Sequence, residues 1–473
     1  MKKSLVALAV LAATGAYAQS SVTLYGIVEA TTDIGYNRKV ESATTSTNNN
    51  AFGTTTSQNT TTVSNQQKNG FRVQDGNDQG TGTSRVGFRG AEDLGGGLKA
   101  NFVLEMGLRI DDGCTTLTAN GGCNNGGGSG NSGGSTFGRN AWGGISGGFG
   151  EVRLGRQVLG SYGVQANSDS SGASNGLYNA SAAFYVPIGG VRFSNAIRYI
   201  SPNMGGFTGS LMLSAPETNA DTSTNTTTTN NLTGTSTVAS GNVSRRTGVD
   251  LALEYANGPA YVGFGYNVRD SANSVSGSLT NIAGNLSSSA LPGKITGYTL
   301  GGSYDFGVVK PFVNYTRETV RGNGAVTLAP SAAALPLLQA SAFSFNNDST
   351  SRAFSVGLRA PVGAFTMIAA IGTVRTSSLT SDVTTTNNAV GGPTVLGNNG
   401  NNAFRRNSYQ LGTQYALSKR TLIEANYGQT RLTGNTVATG TNNTVGALNA
   451  VSESRGSSAD RTSAFNVGLK HSF

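Results

Sequence analysis

The chain has 473 residues, of which 12% are charged and 37% hydrophobic, with 68 glycines and a formal net charge of +9. A water-soluble domain of this length carries about 25% charge and about 45–50% apolar residues, so a thick apolar core is excluded. Prolonged disorder is excluded as well, because it lacks aromatics and this chain holds 16 Tyr and 19 Phe.

Lys2 and Lys3 open the sequence, Leu5 to Ala13 form a short apolar run, and Ala16-Tyr17-Ala18 is a small-x-small site before Gln19. This is the pattern of a secretory signal peptide over residues 1–18. Its apolar run is too short for a membrane helix, which needs about 20 residues. Removal takes two lysines and no acid, so the net charge falls by two. Residues 19–473 contain no long apolar stretch, and any insertion into a bilayer is therefore by strands.

Beyond the leader, the segments that are not rich in Ser, Thr, Asn and Gly alternate apolar and polar residues. Ser84 to Gly90 opposes Val86 and Phe88 to Arg85 and Arg89. Leu98 to Ile110 sets Ala100, Phe102, Leu104, Met106 and Leu108 against Lys99, Asn101, Glu105 and Arg109. The last segment alternates Phe465, Val467, Leu469, His471 and Phe473 with Asn466, Gly468, Lys470 and Ser472. Period two marks strands with one apolar face, and helical spacing is sustained nowhere. The chain reads as all-β.

Sixteen strands are expected near 22–36, 82–92, 98–110, 138–147, 150–157, 191–201, 206–215, 245–257, 260–270, 295–306, 308–320, 351–361, 364–376, 405–417, 420–432 and 463–473. Short turns such as Asp93 to Gly97 and Gly147 to Gly150 take turns with long polar loops near 37–82, 111–137, 158–190, 216–244, 271–293, 321–350, 377–404 and 433–461. Short turns at one end and long loops at the other are the layout of an antiparallel transmembrane β-barrel with short periplasmic turns. Residues 19–473 then form one barrel domain with a wet interior, which explains the low apolar content. Tyr25, Tyr199, Tyr255, Tyr304, Phe306, Tyr415 and Tyr427 are expected to form girdles at the membrane interfaces.

Cys114 and Cys123 fall in the second long loop. Outside the cytoplasm a disulfide is the simpler reading, since a metal pair needs further ligands and the chain has one His, His471. No metal or other cofactor is implied.

The segments QSSVTLYGIVEA (19–30), SRVGFRGAEDLGGGLKANFVLEMG (84–107), FGEVRLGRQ (149–157) and VRFSNAIRYISPNMGGF (191–207), with the terminal Phe473, resemble the general porins of Gram-negative outer membranes. The resemblance implies a 16-stranded barrel that forms homotrimers in the outer membrane and lets small hydrophilic solutes diffuse passively. It implies a bilayer with lipopolysaccharide as surroundings, and Phe473 as the signal read by the outer-membrane assembly machinery. The third long loop, about Val158 to Gly190, would fold inward and narrow the pore; it holds Asp169 and no base. Carried over residue by residue, Arg85, Arg139 or Arg156, and Arg192 lie nearest the constriction, joined by Arg153.

By strand parity Arg85, Arg89, Arg109, Arg139, Arg153, Arg192 and Arg198 face inward with Lys99, while Lys310 and Arg359 line the inner vestibule. Arg156 breaks parity, which predicts a bulge, a position above the apolar band, or burial at a subunit contact, because a lipid-facing Arg costs about 2–4 kcal/mol. A basic channel concentrates anions, so weak to moderate anion preference is expected. A substrate-specific channel for small anions or sugars is the closer alternative, because the same arginines would serve as a ladder. A secreted adhesin is more remote, since no fixed-period repeat is present. Catalysis is disfavoured: His471, the one possible proton shuttle, faces lipid by parity. Nucleic-acid binding lacks clustered basic runs with aromatics.

Overall fold

The computed structural model describes residues 21–49, 55–75, 84–108, 110, 113, 136–170, 190–216, 221–230, 234–243, 247–275, 289–330, 341–380, 398–442 and 450–473. The strands are β1 (Ser21–Asn49), β2 (Thr55–Asp75), β3 (Arg85–Gly95), β4 (Leu98–Gly107), β5 (Asn140–Gly147), β6 (Gly150–Val158), β7 (Arg192–Ile200), β8 (Phe207–Ser214), β9 (Asp221–Asn230) and β10 (Gly234–Val243). They continue with β11 (Gly248–Asn257), β12 (Ala260–Val275), β13 (Ser289–Tyr304), β14 (Lys310–Pro330), β15 (Ser341–Val362), β16 (Phe365–Thr380), β17 (Asn398–Ala416), β18 (Thr421–Asn442) and β19 (Ala450–Ser472). One helix, α1 (Gly160–Asn167), follows β6.

Sixteen of these strands, β1, β3 to β8 and β11 to β19, close into an antiparallel barrel. Each pairs with its neighbour in chain order, β8 passes to β11, and β19 returns to β1. Closure is carried to the last residue, where Gly26 and Phe473 exchange backbone hydrogen bonds of 3.1 Å in both directions. The Phe473 ring lies over Gly26, where any side chain would collide with it.

Alternation decides the two faces. Leu24, Phe88, Leu98, Ile145, Leu154, Leu211, Leu253, Phe264, Leu300, Ile371, Leu411 and Leu469 are all exposed on the outer wall. Polar neighbours such as Asn267, Thr299, Asn314, Gln410 and Asn426 are buried on the inner side. An exposed apolar belt around a closed ring is stable only in lipid, where the closed ladder satisfies every spanning amide. Toward the short turns the belt ends in aromatic pairs: Phe207 with Tyr255, Tyr304 with Phe306 and Phe365 with Tyr415, at ring-centroid distances of 4.6, 4.6 and 4.8 Å.

Several expectations are corrected. Strands continue into stretches read as polar loops: β1 runs to Asn49 and pairs with β2, and β14, β15, β17, β18 and β19 extend their hairpins on the long-loop side. Thr and Asn runs hide this because such extensions have no apolar face to read. The loop after β8 holds the β9–β10 hairpin. Helical structure does occur, as α1. Tyr25 is no girdle residue; it points inward and donates to Glu105 Oε2 at 2.9 Å.

The ladder slips between β6 and β7. Gly155 pairs with Ala196 and Gln157 with Phe193, leaving Arg156 opposed by both Ser194 and Asn195. Asn195 takes φ +48°, a left-handed conformation that Asn tolerates better than most residues. Such a bulge re-aims side chains. Arg156 donates to Gly138 O at 2.7 Å and to Ser194 Oγ at 2.5 Å.

Candidate functional site

After β6 the chain turns into the barrel. Leu159 packs with Phe193, Ala196, Met212 and Tyr162 in a small apolar cluster on the inner wall, which fixes where the loop departs. Helix α1 then runs along β8, β11, β12 and β13. Its N-cap position is Leu159, which offers no side-chain acceptor. Asp250 of β11 supplies one instead, accepting from Gly160 N at 2.7 Å, from Ser161 N and from Ser161 Oγ. A buried carboxylate at a helix N-terminus satisfies orphan amides and meets the positive end of the helix dipole.

Further along, Gln165 donates to Thr316 Oγ1 at 3.1 Å and Asn167 to Glu254 Oε2 at 3.1 Å. Asn314 Nδ2 donates to Ser168 Oγ at 2.7 Å, and the Arg359 guanidinium grips the Ser170 carbonyl. The wall beneath is cut to receive the loop. A Cβ at Gly263 would meet Val164, one at Gly265 would meet Ser161, one at Gly301 would strike Ser168, and one at Gly357 would strike Ser170. Glycine at these four positions lets the loop lie against the strands at backbone distance.

A charged cluster lines the inner wall from β3, on the far side of the ring, to β7, which adjoins the strand where the helix is seated. In ring order β3 and β13 stand eight strands apart, half of sixteen. On β3 to β5, Arg139 donates to Glu105 Oε1 at 2.7 Å and Arg85 approaches Glu105 Oε2 at 3.8 Å, with Tyr25 and Asn140 completing the shell. Arg192 lies within electrostatic reach of Arg139, Arg156 and Glu105. Two guanidinium groups thus share one carboxylate, with a third in its electrostatic reach.

Nearer the short turns, Arg153 pairs in register with Arg198. Arg153 binds Glu151 at 2.6 Å and lies 4.2 Å over the Trp142 ring. Arg198 donates to Val158 O and Ser210 Oγ, each at 3.0 Å. Arg89 sits 5.2 Å over the Tyr25 ring, and Lys99 is exposed near the turn after β3.

Asp169 is buried beside Arg359, beneath the loop rather than on its free surface. Arg359 is accordingly a loop anchor more than a vestibule residue; its register partner Lys310 lies 5.4 Å from the Phe312 ring. Arg109, Cys114 and Cys123 lie outside the described residues, as do 171–189 of the third loop. Sequence reasoning missed Glu105 and Asp250. Glu105 carried a signal, being an acid on the inner face of a strand whose neighbours bring arginines to the same face. Asp250 carried none, because its partner is 90 residues away.

A family model for the Gram-negative porins matches residues 4–435. Outer membrane porin protein 32 of Delftia acidovorans is 38% identical over 214 residues, which are 44% of this chain and 48% of that protein. An outer membrane porin protein of Bordetella pertussis is 30% identical over 442 residues, 90% of this chain and 94% of that one. Among solved structures, the anion-selective porin from Comamonas acidovorans matches with a TM-score of 0.51 at 22% identity, covering 96% of this chain and 100% of that one. A closed ring leaves no room for an extended adhesin, and both the family match and the full-length similarity agree with it: the chain belongs to the Gram-negative porin family of the outer membrane.

Proposed function

We propose that the protein is a passive pore for ions and small hydrophilic solutes, with weak to moderate preference for anions. The observation that carries this reading is the pairing of an infolded, wall-anchored loop with a cluster of arginines on the inner wall of β3 to β7. The loop narrows the passage; Arg85 and Arg139, sharing Glu105, and Arg156 and Arg192 set a positive potential beside it, and Arg153 with Arg198 extends it inward. A positive field in a narrow, low-dielectric channel raises the local anion concentration. A barrel of the same fold, from Comamonas acidovorans, is described as anion-selective. Reversal potentials across planar bilayers in a potassium chloride gradient test the sign: chloride preference is expected, and potassium preference overturns it.

A substrate-specific channel is favoured by one feature, the stacking of Arg89 on Tyr25 and of Arg153 on Trp142, which offers paired cationic and aromatic surfaces. Liposome swelling with neutral sugars of rising size separates the two. A size cutoff without chemical preference supports the general pore.

The same reading assigns residues 1–18 to a cleaved leader and 19–473 to the barrel, and it takes the working form as a homotrimer in a lipopolysaccharide-containing bilayer. A Cys114–Cys123 disulfide would stiffen the second long loop. Phe473 is the residue the assembly machinery would read. The supports are the leader pattern, the compartment, the family and the aromatic C-terminal residue. The family consists of channels rather than enzymes.

A further inference from the structure

On the outer wall, at the long-loop end of β14 to β19, six arginines form one band across six adjacent strands. Arg317 is in register with Arg352, Arg352 with Arg375, and Arg375 with Arg405. One step lower, Asn407 meets Arg431, and Arg431 meets Arg461. Parity sets their direction. Each lies an even number of residues from an exposed apolar side chain of the outer belt, as Arg352 does from Phe354, Arg375 from Ile371 and Arg405 from Tyr409. At about 4.8 Å per strand the band is about 24 Å long.

Like charges placed directly opposite on a ladder repel each other. Among the described residues no carboxylate comes within ion-pair distance of any of the six. Their recorded contacts are neutral, as between Arg317 and the Tyr298 hydroxyl at 3.4 Å and between Arg405 and Asn407 Oδ1 at 3.2 Å. The sheet therefore carries a row of like charges with no carboxylate counter-charge among the described residues. Two open depressions of about 450 and 540 Å³ lie along it; one joins Arg431 to Phe354, Ile371 and Tyr409, the other joins Arg352, Arg375 and Arg405.

We propose that this band is a binding site for the phosphates of lipopolysaccharide in the outer leaflet. The inference rests on the outer-membrane reading of the barrel and adds the partner of its outer wall. The charges call for an anion with several phosphates, because guanidinium forks pair bidentately with phosphate. The aromatic and aliphatic side chains directly below call for acyl chains beneath those phosphates. A soluble phosphate fills only the first requirement, and a neutral lipid only the second.

The test uses the folded full-length protein in detergent with three probes: rough-type lipopolysaccharide, the same material after chemical dephosphorylation, and inorganic phosphate. The intact lipopolysaccharide is expected to bind, with affinity falling as salt rises. The triple variant R352Q/R375Q/R405Q should bind it about a hundredfold more weakly, about fivefold per arginine, with single-channel conductance and the heat-resistant folded band unchanged. Dephosphorylated material should bind the parent as poorly as intact material binds the variant. The proposal is overturned if dephosphorylated lipopolysaccharide binds the parent as well as intact material does, a result that needs no variant. It is overturned equally if the folded triple variant binds within threefold of the parent, or if millimolar inorganic phosphate displaces the lipid. Conductance separates this outcome from failure of the pore reading: a conducting protein that does not bind lipopolysaccharide loses only the present proposal.

Discussion

Asp250 of β11 accepts a 2.7 Å hydrogen bond from the backbone nitrogen of Gly160, so one wall strand caps the helix of the infolded loop. A cap of this kind is worth about 1 kcal/mol, with a further 0.3–1 kcal/mol, roughly, from charge at the helix N-terminus. Asp250→Ala should loosen α1 from its seat. Open-channel current noise is expected to rise, with more frequent brief closures in single-channel records. Noise equal to that of the parent would show that the loop is held by its other anchors alone.

Glu105 is the acid shared by Arg85 and Arg139. Glu105→Gln removes one negative charge from that group and nearly preserves shape. A unit charge at 4 Å is worth about 1 kcal/mol even in water, so the chloride-to-potassium permeability ratio should rise about fivefold. Arg139→Gln should shift the ratio the other way. Both are read from reversal potentials in the same salt gradient.

Gly301 faces Ser168 with no space for a side chain. Gly301→Val should push the loop toward the passage, lowering single-channel conductance and slowing liposome swelling by larger sugars more than by smaller ones. Gly148, which sits in a short turn with open space around it and without left-handed backbone, offers a control site away from the loop.

Asn195 holds the bulge at φ +48°. Asn195→Val places a β-branched residue in left-handed backbone at a cost of about 1–3 kcal/mol. The temperature at which the folded band converts to the unfolded one on gels should fall, whereas Asn195→Gly should leave it nearly unchanged.

The fold was legible where alternation carried it. Leu98 to Gly107 and Phe465 to Ser472 have an apolar side every second residue, and most of the short turns contain Gly, Pro or Asp. It was illegible where a strand had no apolar side: Thr55–Asp75 and Asp221–Asn230 consist largely of polar residues, and their pairing comes from the partner strand rather than from their own pattern. Helix α1, GSYGVQAN, contains two glycines and lacks a local cap, so intrinsic propensity argues against it; a remote carboxylate and a glycine-lined wall make it. Among the site residues, Arg85 and Arg89 followed from parity alone. Arg156 announced its bulge by violating parity. Asp169 was visible as the loop's acid, but its burial against Arg359 depends on how the loop crosses to β15.

Ring closure between Gly26 and Phe473 also constrains how the molecule reaches the membrane. Until that pairing forms, β1 and β19 are two raw edges whose amides have no partner in hydrocarbon, each costing several kcal/mol. The contact joins positions farther apart in sequence than almost any other in the chain, and loop-closing pairings of that kind are slow. An open sheet therefore cannot wait in lipid for its ends to meet. Insertion and closure must proceed together, or a second protein must occupy the two edges until they join.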